Sequence, residues 1–173
     1  MAKPSARDRV LDAYQDVLIE HGPSSVTLEA VAAEAGVSKG GLLYHFGSKD
    51  ALLEGLIGRL YELTEEDLAT ARESPEGVAS YYIRSSMAEV LRDERLYRTT
   101  LAAIRMMHLP RVSDAMREAT AKWRALLLEH TPDALTADLI ATVGDGLYLR
   151  AALGETETPL LDDLPTTLRR LGL

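Results

Sequence analysis

A chain of 173 residues, 46% of them hydrophobic, has room for one large or two small domains and enough apolar surface to bury a core. It contains no cysteine, which excludes a disulfide framework, thiol redox sensing and thiolate metal ligands. The formal net charge is −8, no apolar run approaches the roughly 20 residues that span a membrane, and the start, MAKPSARDR, lacks a signal-peptide core, so a cytoplasmic protein is expected.

The first predicted helix runs from about Ala6 to Glu20 and carries Val10, Tyr14, Val17 and Leu18 on one face before His21-Gly22-Pro23 stops it. Lys3, Arg7 and Arg9 precede or begin it, where they can reach phosphate or a minor groove; for Lys3 a solvated tail is the other reading. A second short helix opens at Val26-Thr27-Leu28, with Leu28, Val31, Ala32 and Ala35 on one face, Thr27 as N-cap and Gly36 as its end. Val37-Ser38 restarts a helix, because Ser38 can accept from the freed backbone N–H groups and Val37 and Leu42 hold the positions of a hydrophobic staple, as do Val26 and Val31 before it. Two short capped helices joined by a glycine turn make a helix-turn-helix unit, whose second helix normally enters the major groove of DNA.

That second helix lies in the stretch GVSKGGLLYHFGSK, residues 36–49, which holds no aspartate or glutamate despite the acidity of the whole chain. At about 100° per residue, Leu42 and Phe46 fall on its inner face, Gly40 and Tyr44 opposite, and Gly41 and Leu43 alongside. A glycine costs a helix roughly 1 kcal/mol relative to alanine. Gly40 and Gly41 are therefore either a frayed first turn or a place where the backbone closely approaches a base edge or phosphate. Lys39 and Lys49 each follow a serine at the first residue of a helix, where a cation opposes the helix dipole; a bound phosphate reverses that penalty. The chain has only two other lysines, Lys3 and Lys122, and the alternative for all of them is a solvated surface.

From Arg9 to about Leu60, the order VLDAYQDVLIEHG followed by TLEAVAAEAGVSKGGLLYHFGSKDALL closely resembles the DNA-binding domain of the tetracycline-repressor family of bacterial transcription regulators. The resemblance covers roughly the first third of the chain. It implies an all-α, two-domain homodimer, with an N-terminal three-helix DNA-binding domain and a variable C-terminal domain for ligand sensing and dimerisation. It further implies that Thr27 contacts phosphate at the start of the second helix, that Lys39, Gly40 and Gly41 lie in the base-reading turn, and that Tyr44, His45 and Lys49 meet the DNA backbone; Ser38 is a further DNA-binding candidate. Leu43 departs from the family's commonest pattern, a tyrosine; an apolar contact with a thymine methyl can replace it, or Leu43 packs on the core. His45 is otherwise a capping or core histidine.

Residues 1–50 carry five Lys/Arg and seven acids, a balance of −2, and the remaining −6 lies beyond. Local placement of charge governs affinity more than the total, while overall repulsion makes binding salt-sensitive and weak at nonspecific sites. A fourth predicted helix starts after Ser48, continues through Leu52, Leu53, Leu56, Ile57, Leu60 and Leu63, and reaches about Arg72 before Ser74-Pro75. A domain boundary is expected within it near Gly58, dividing the chain into 1–58, for DNA binding, and 59–173, for sensing and dimerisation. Further helices are expected at about 76–92, 94–108, 111–129, 133–152 and 160–171, with breaks at Pro75, Arg92-Asp93-Glu94, Pro110, Thr131-Pro132 and the segment from Gly154 to Pro159.

Two C-terminal features invite a functional reading. Met106-Met107-His108-Leu109-Pro110 ends one helix and begins the next, and methionines adapt to varied ligands, although they also fill ordinary cores. With Met87, Trp123 and Tyr148, these residues Met106, Met107 and His108 are the candidates for a ligand pocket; Tyr81, Tyr82 and Tyr97 share the aromatic pattern, and core packing is the alternative for all of them. The stretch from Ala141 to Leu147, with Ala151 and Ala152, is rich in small residues and precedes Leu160, Leu161, Leu164, Leu168 and Leu171. It resembles the family's last two helices, which pair with their symmetry mates, so Leu139, Val143, Gly146, Leu147, Leu164 and Leu168 are candidates for a dimer interface; a tight crossing within the chain is the alternative.

The four histidines, His21, His45, His108 and His130, fall singly, and neither a zinc-protease motif, a nucleophile elbow nor a glycine-rich phosphate loop occurs. No cofactor, metal or catalytic residue is expected. The competing readings are a helical enzyme or small-molecule carrier, and a sensor that has kept the fold and lost DNA binding. The expected partners are a near-palindromic DNA operator, a small-molecule effector and a second copy of the chain.

Overall fold

The computed structural model describes residues 5–91, 95–155 and 157–173, so Lys3 and the expected break at Arg92-Asp93-Glu94 lie outside the described residues. Among the described residues every regular element is helical: α1 Ala6–His21, α2 Leu28–Glu34, α3 Lys39–His45, α4 Lys49–Glu73, α5 Val78–Leu91, α6 Arg95–Arg105, α7 Pro110–Glu129, α8 Ala134–Ala152, α9 Pro159–Asp162 and α10 Leu164–Arg170, with a 3-10 turn at Pro23–Ser25. They form two compact units, Met1–Glu62 with Arg98–Met116, and Leu63–Tyr97 with Arg117–Leu173. A single cut near Gly58 describes domains contiguous in sequence, whereas these units are not, because the chain returns to the first unit from within α6 to within α7, over Arg98–Met116.

In the first unit, α1 buries Val10, Leu11, Tyr14, Val17 and Leu18, α2 buries Val31 and Ala32, and α3 contributes Leu42 with Phe46 just after it. Gly55 on α4 allows the closest approach, since a Cβ there would stand 2.8 Å from both Leu11 Cδ2 and Phe46 Cε1. A polar clamp ties α4 to α1: the Arg59 guanidinium, 4% exposed, donates to Asp12 Oδ1 at 2.5 Å, Gln15 Oε1 at 3.2 Å and Asp8 Oδ1 at 3.3 Å. Gln15 in turn donates to Thr99 Oγ1 of α6 at 2.6 Å, and Arg98 pairs with Asp16 at 2.5 Å. A buried guanidinium needs such partners, because an unpaired one would carry its full desolvation cost.

In the second unit, α5 and α8 pack side by side over a core of Leu68, Ile83, Met87, Leu126, Leu127 and Ile140, among others. Gly144 sets their spacing, because a Cβ there would collide with the Tyr82 ring and come within 2.8 Å of Ser86 Oγ.

Two expected elements change. The helix expected over 94–108 ends at Arg105, and Met106–Leu109 form turns closed by Met106 N–H donating to Ala103 O at 2.9 Å and Leu109 N–H to Met106 O at 2.9 Å. Pro110 then starts α7, a position where its missing N–H costs nothing. The single helix expected over 160–171 is α9 and α10, because Asp163 accepts from Thr166 N at 3.0 Å and, with Pro165 in the first turn, starts a new helix.

Candidate nucleic-acid interface

Three hydroxyl caps fix the helix-turn-helix. Thr27 Oγ1 accepts from Ala30 N, Ser38 Oγ from Gly41 N and Ser48 Oγ from Ala51 N, each at 3.0 Å. Each satisfies one backbone donor that a helix start leaves orphaned. The turn itself is held by Gly36 at φ +63, a left-handed conformation that glycine adopts without strain. Around it Val37 N–H donates to Ala32 O at 3.0 Å and Gly36 N–H to Ala33 O at 3.1 Å, the paired bonds of a Schellman ending.

The expected faces of α3 follow. Leu42 is fully buried and Phe46 nearly so, while Tyr44 is 86% and Leu43 41% exposed. Leu43 therefore stands outside the core. Gly40 and Gly41 both lie within the helix rather than before it, and Gly41 has a local reason to lack a side chain, since a Cβ would press on the Ser38 cap oxygen at 3.3 Å. Gly40 meets nothing closer than 4.0 Å, so its missing side chain has no internal cause. His45 is half-buried with its ring edge-on to Tyr44 at 5.1 Å.

The flanking cations differ. Lys39 pairs with Glu29 Oε1 of α2 at 2.6 Å, and that hydrogen bond first, then a backbone hydrogen bond and the ammonium charge, hold the Glu29 carboxyl below its usual range. Lys49 is exposed and has no ion-pair partner among the described residues. Arg7 lies over the Phe46 ring at 5.3 Å, a cation–π contact at the end of α3. Sequence reasoning missed Glu29, because its pairing with Lys39 exists only once α2 and α3 are packed.

Two family models match. Residues 10–56 match bacterial regulatory proteins of the tetR family, and residues 76–171 match the tetracyclin repressor-like C-terminal domain. The chain belongs to the TetR family. UidR, an HTH-type transcriptional regulator of Escherichia coli K12, is 35% identical to this TetR-family chain over 77 residues, which are 44% of the chain and 37% of UidR. BetI of Burkholderia thailandensis is 28% identical over 159 residues, 85% of this chain and 82% of BetI. A TetR-family member from Streptomyces coelicolor has the same fold, with a TM-score of 0.73 at 24% identity over 97% of this chain and 98% of that one. So does the multidrug binding protein EbrR complexed with malachite green, with a TM-score of 0.67 at 23% identity over 97% and 96%. TetR-family proteins are transcription regulators and not enzymes.

The residues read as ligand-binding fall into separate places in this TetR-family chain. Met87 is buried in the core of the second unit, and Trp123 packs against that core between Tyr81, stacked at 6.4 Å, and Tyr82, tilted at 4.9 Å. Tyr148 meets Tyr97 at 5.6 Å and donates to its carbonyl at 3.4 Å. Met106, Met107 and His108 belong instead to the first unit, with Met107 and His108 exposed and Met106 half-buried.

The six residues read as dimer-forming also divide. Leu147 and Leu164, at 1% and 4% exposure, are already spent on the chain's own core, so their side chains have nothing to offer a partner. Val143 and Leu168 are half-buried, and Leu139 and Gly146 are exposed. No helix among the described residues is long and apolar enough to cross a membrane, and no group of three or more metal-ligating side chains occurs among them.

Proposed function

We propose that this protein is a cytoplasmic, sequence-specific transcriptional repressor that binds a near-palindromic operator as a dimer and is released from it by a small molecule. The observation that carries the DNA reading is the solvent face of α3: a capped helix with exposed Leu43 and Tyr44, no acidic residue from Gly36 to Lys49, and a lysine at each side. Such a face can enter a major groove without acid–phosphate repulsion. Thr27, Ser38, Tyr44, His45 and Lys49 then position the backbone, while Lys39, Gly40, Gly41 and Leu43 meet base edges. In domain terms, residues 1–58 read DNA and 59–173 sense ligand and dimerise.

The ligand reading is supported by the aromatic group Tyr81, Tyr82 and Trp123, packed against the core that holds Met87, in a fold that is shared with a protein holding malachite green. A small, largely apolar effector fits that aromatic group. It can release DNA only by preferring the conformation that DNA does not bind, since equal affinity for both states shifts nothing. A mobility-shift assay with genomic fragments tests the core of the reading: specific retention of a fragment, competed by itself and not by unrelated duplex, is expected. Failure to retain any fragment leaves the sensor without DNA binding as the function.

A further inference from the structure

An open cleft of about 210 Å³ is formed by residues of the first unit alone: Tyr14 of α1, Lys49, Asp50 and Leu53 of α4, Met106 and Leu109 of the turn before α7, and Arg111 of α7, among others. Its polar groups are unevenly committed. The Arg111 guanidinium is bound by the carboxylates of Asp50 and Glu54, so its charge is already balanced. Lys49 has no ion-pair partner among the described residues. Tyr14 is 2% exposed, yet its hydroxyl makes no hydrogen bond among the described residues. No fully sealed polar side-chain atom among those residues lacks a partner, so this hydroxyl is accessible, and Tyr14 lines the cleft. Burial pushes Tyr14 up to about 12, against the opposing field of Arg111, so at neutral pH the hydroxyl is protonated and can donate.

We propose that this cleft binds a small monocarboxylate carrying one apolar ring, with the carboxylate accepting from the Tyr14 hydroxyl and the Lys49 ammonium and the ring lying against Leu53, Met106 and Leu109. A hydroxyl that opens to a cleft with no protein acceptor is free to donate to a ligand, and an ionised acceptor makes the strongest such bond. The apolar walls disfavour inorganic phosphate. The site is small beside the pockets of about 300–1,000 Å³ that drug-sized molecules occupy. The site is separate from the aromatic group proposed for the effector, and it shares Lys49 with the DNA backbone. Its consequence for DNA rests on the reading of Lys49 as a phosphate contact: occupant and DNA then compete, each weakening the other by the same factor.

The test is a titration of the full-length protein with benzoate, followed through the ¹³C-methyl resonance of Met106. A saturable shift with a Kd on the order of a millimolar is expected for so small a ligand. Tyr14→Phe, which keeps the ring and deletes only the partnerless hydroxyl, should leave the Tm unchanged and weaken benzoate about tenfold; uncharged benzamide should bind about tenfold more weakly as well. Leu109→Trp, which fills the cleft, should abolish the shift. Absence of saturation, or equal affinity for benzoate in Tyr14→Phe or for benzamide in the native chain, overturns the site. Saturable, Tyr14-dependent binding that leaves DNA affinity untouched upholds the site and removes Lys49 from the DNA contacts.

Discussion

At the scale of single residues, the two lysines beside α3 start from different positions, and this separates their expected effects. Lys49 has no ion-pair partner among the described residues, so a phosphate that it meets displaces no ion pair. Lys49→Ala should weaken binding to every duplex by a similar factor and reduce the slope of log affinity against log salt by about one unit, since a phosphate contact carries no base information. Affinities measured across a salt series on operator and unrelated DNA check this; an unchanged slope strikes Lys49 from the interface. Lys39 must first leave Glu29, whose carboxylate holds its ammonium. Glu29→Gln should therefore tighten DNA binding several-fold, and the gain should vanish in Glu29→Gln combined with Lys39→Ala. The Lys39 hydrogen bond holds the Glu29 pKa down, so the pair is intact at neutral pH and is lost only as pH falls through that lowered value. A tightening by Glu29→Gln that is equally large at pH 7 and well below the ordinary carboxylate range would contradict the account.

At the scale of elements, α8 shows how one run of small residues serves two faces. Ala141, Gly144, Leu147 and Ala151 turn inward, and Gly144 lies where any Cβ would strike Tyr82 and Ser86 of α5. Gly146 meets nothing within 4 Å. Gly144→Ala should cost about 1–3 kcal/mol by overpacking, whereas Gly146→Ala should be neutral or gain up to about 1 kcal/mol from helix propensity within the protomer. Thermal unfolding of the two variants under identical conditions decides between them; equal losses would mean that Gly144 does not set the crossing. The sequence could present only the small residues, because which of them faces α5 depends on the rotation of the helix against a neighbour more than fifty positions away. By contrast, the caps at Thr27, Ser38 and Ser48 and the left-handed Gly36 were legible, since each acts on backbone groups within a few residues. The ends of α6 and α9 were missed because apolar spacing runs on past Arg105 and through Asp163, although the Asp163 cap and Pro165 that divide α9 from α10 are as local as the caps that were read. The Arg59 clamp and the Glu29–Lys39 pair were hidden for the same reason as Gly144, being products of packing rather than of spacing.

At the scale of the whole molecule, the face of α8 that its own chain leaves uncovered carries the case for a dimer. Leu135, Leu139, Thr142, Gly146, Leu149 and Leu153 are all exposed, the five leucine and glycine positions among them being apolar, and they follow one another at alternating intervals of four and three residues. That is the spacing of a seam between paired helices, and Leu135, Leu149 and Leu153 are 70%, 60% and 72% exposed in the single chain. A small residue at the middle of the seam lets two backbones approach across a two-fold axis. We therefore expect a dimer whose recognition helices meet half-sites about one helical turn, roughly 34–36 Å, or more apart on a near-palindromic operator. Sedimentation at micromolar concentration should give twice the mass of the chain, both free and, after allowance for the duplex, bound to DNA. Leu139→Arg combined with Leu149→Arg places charge on the seam without touching the protomer core, so this variant should sediment as a folded monomer with native helicity and lose operator binding by far more than nonspecific binding. A native chain that sediments as a monomer with and without DNA would remove the seam, and with it the palindromic operator.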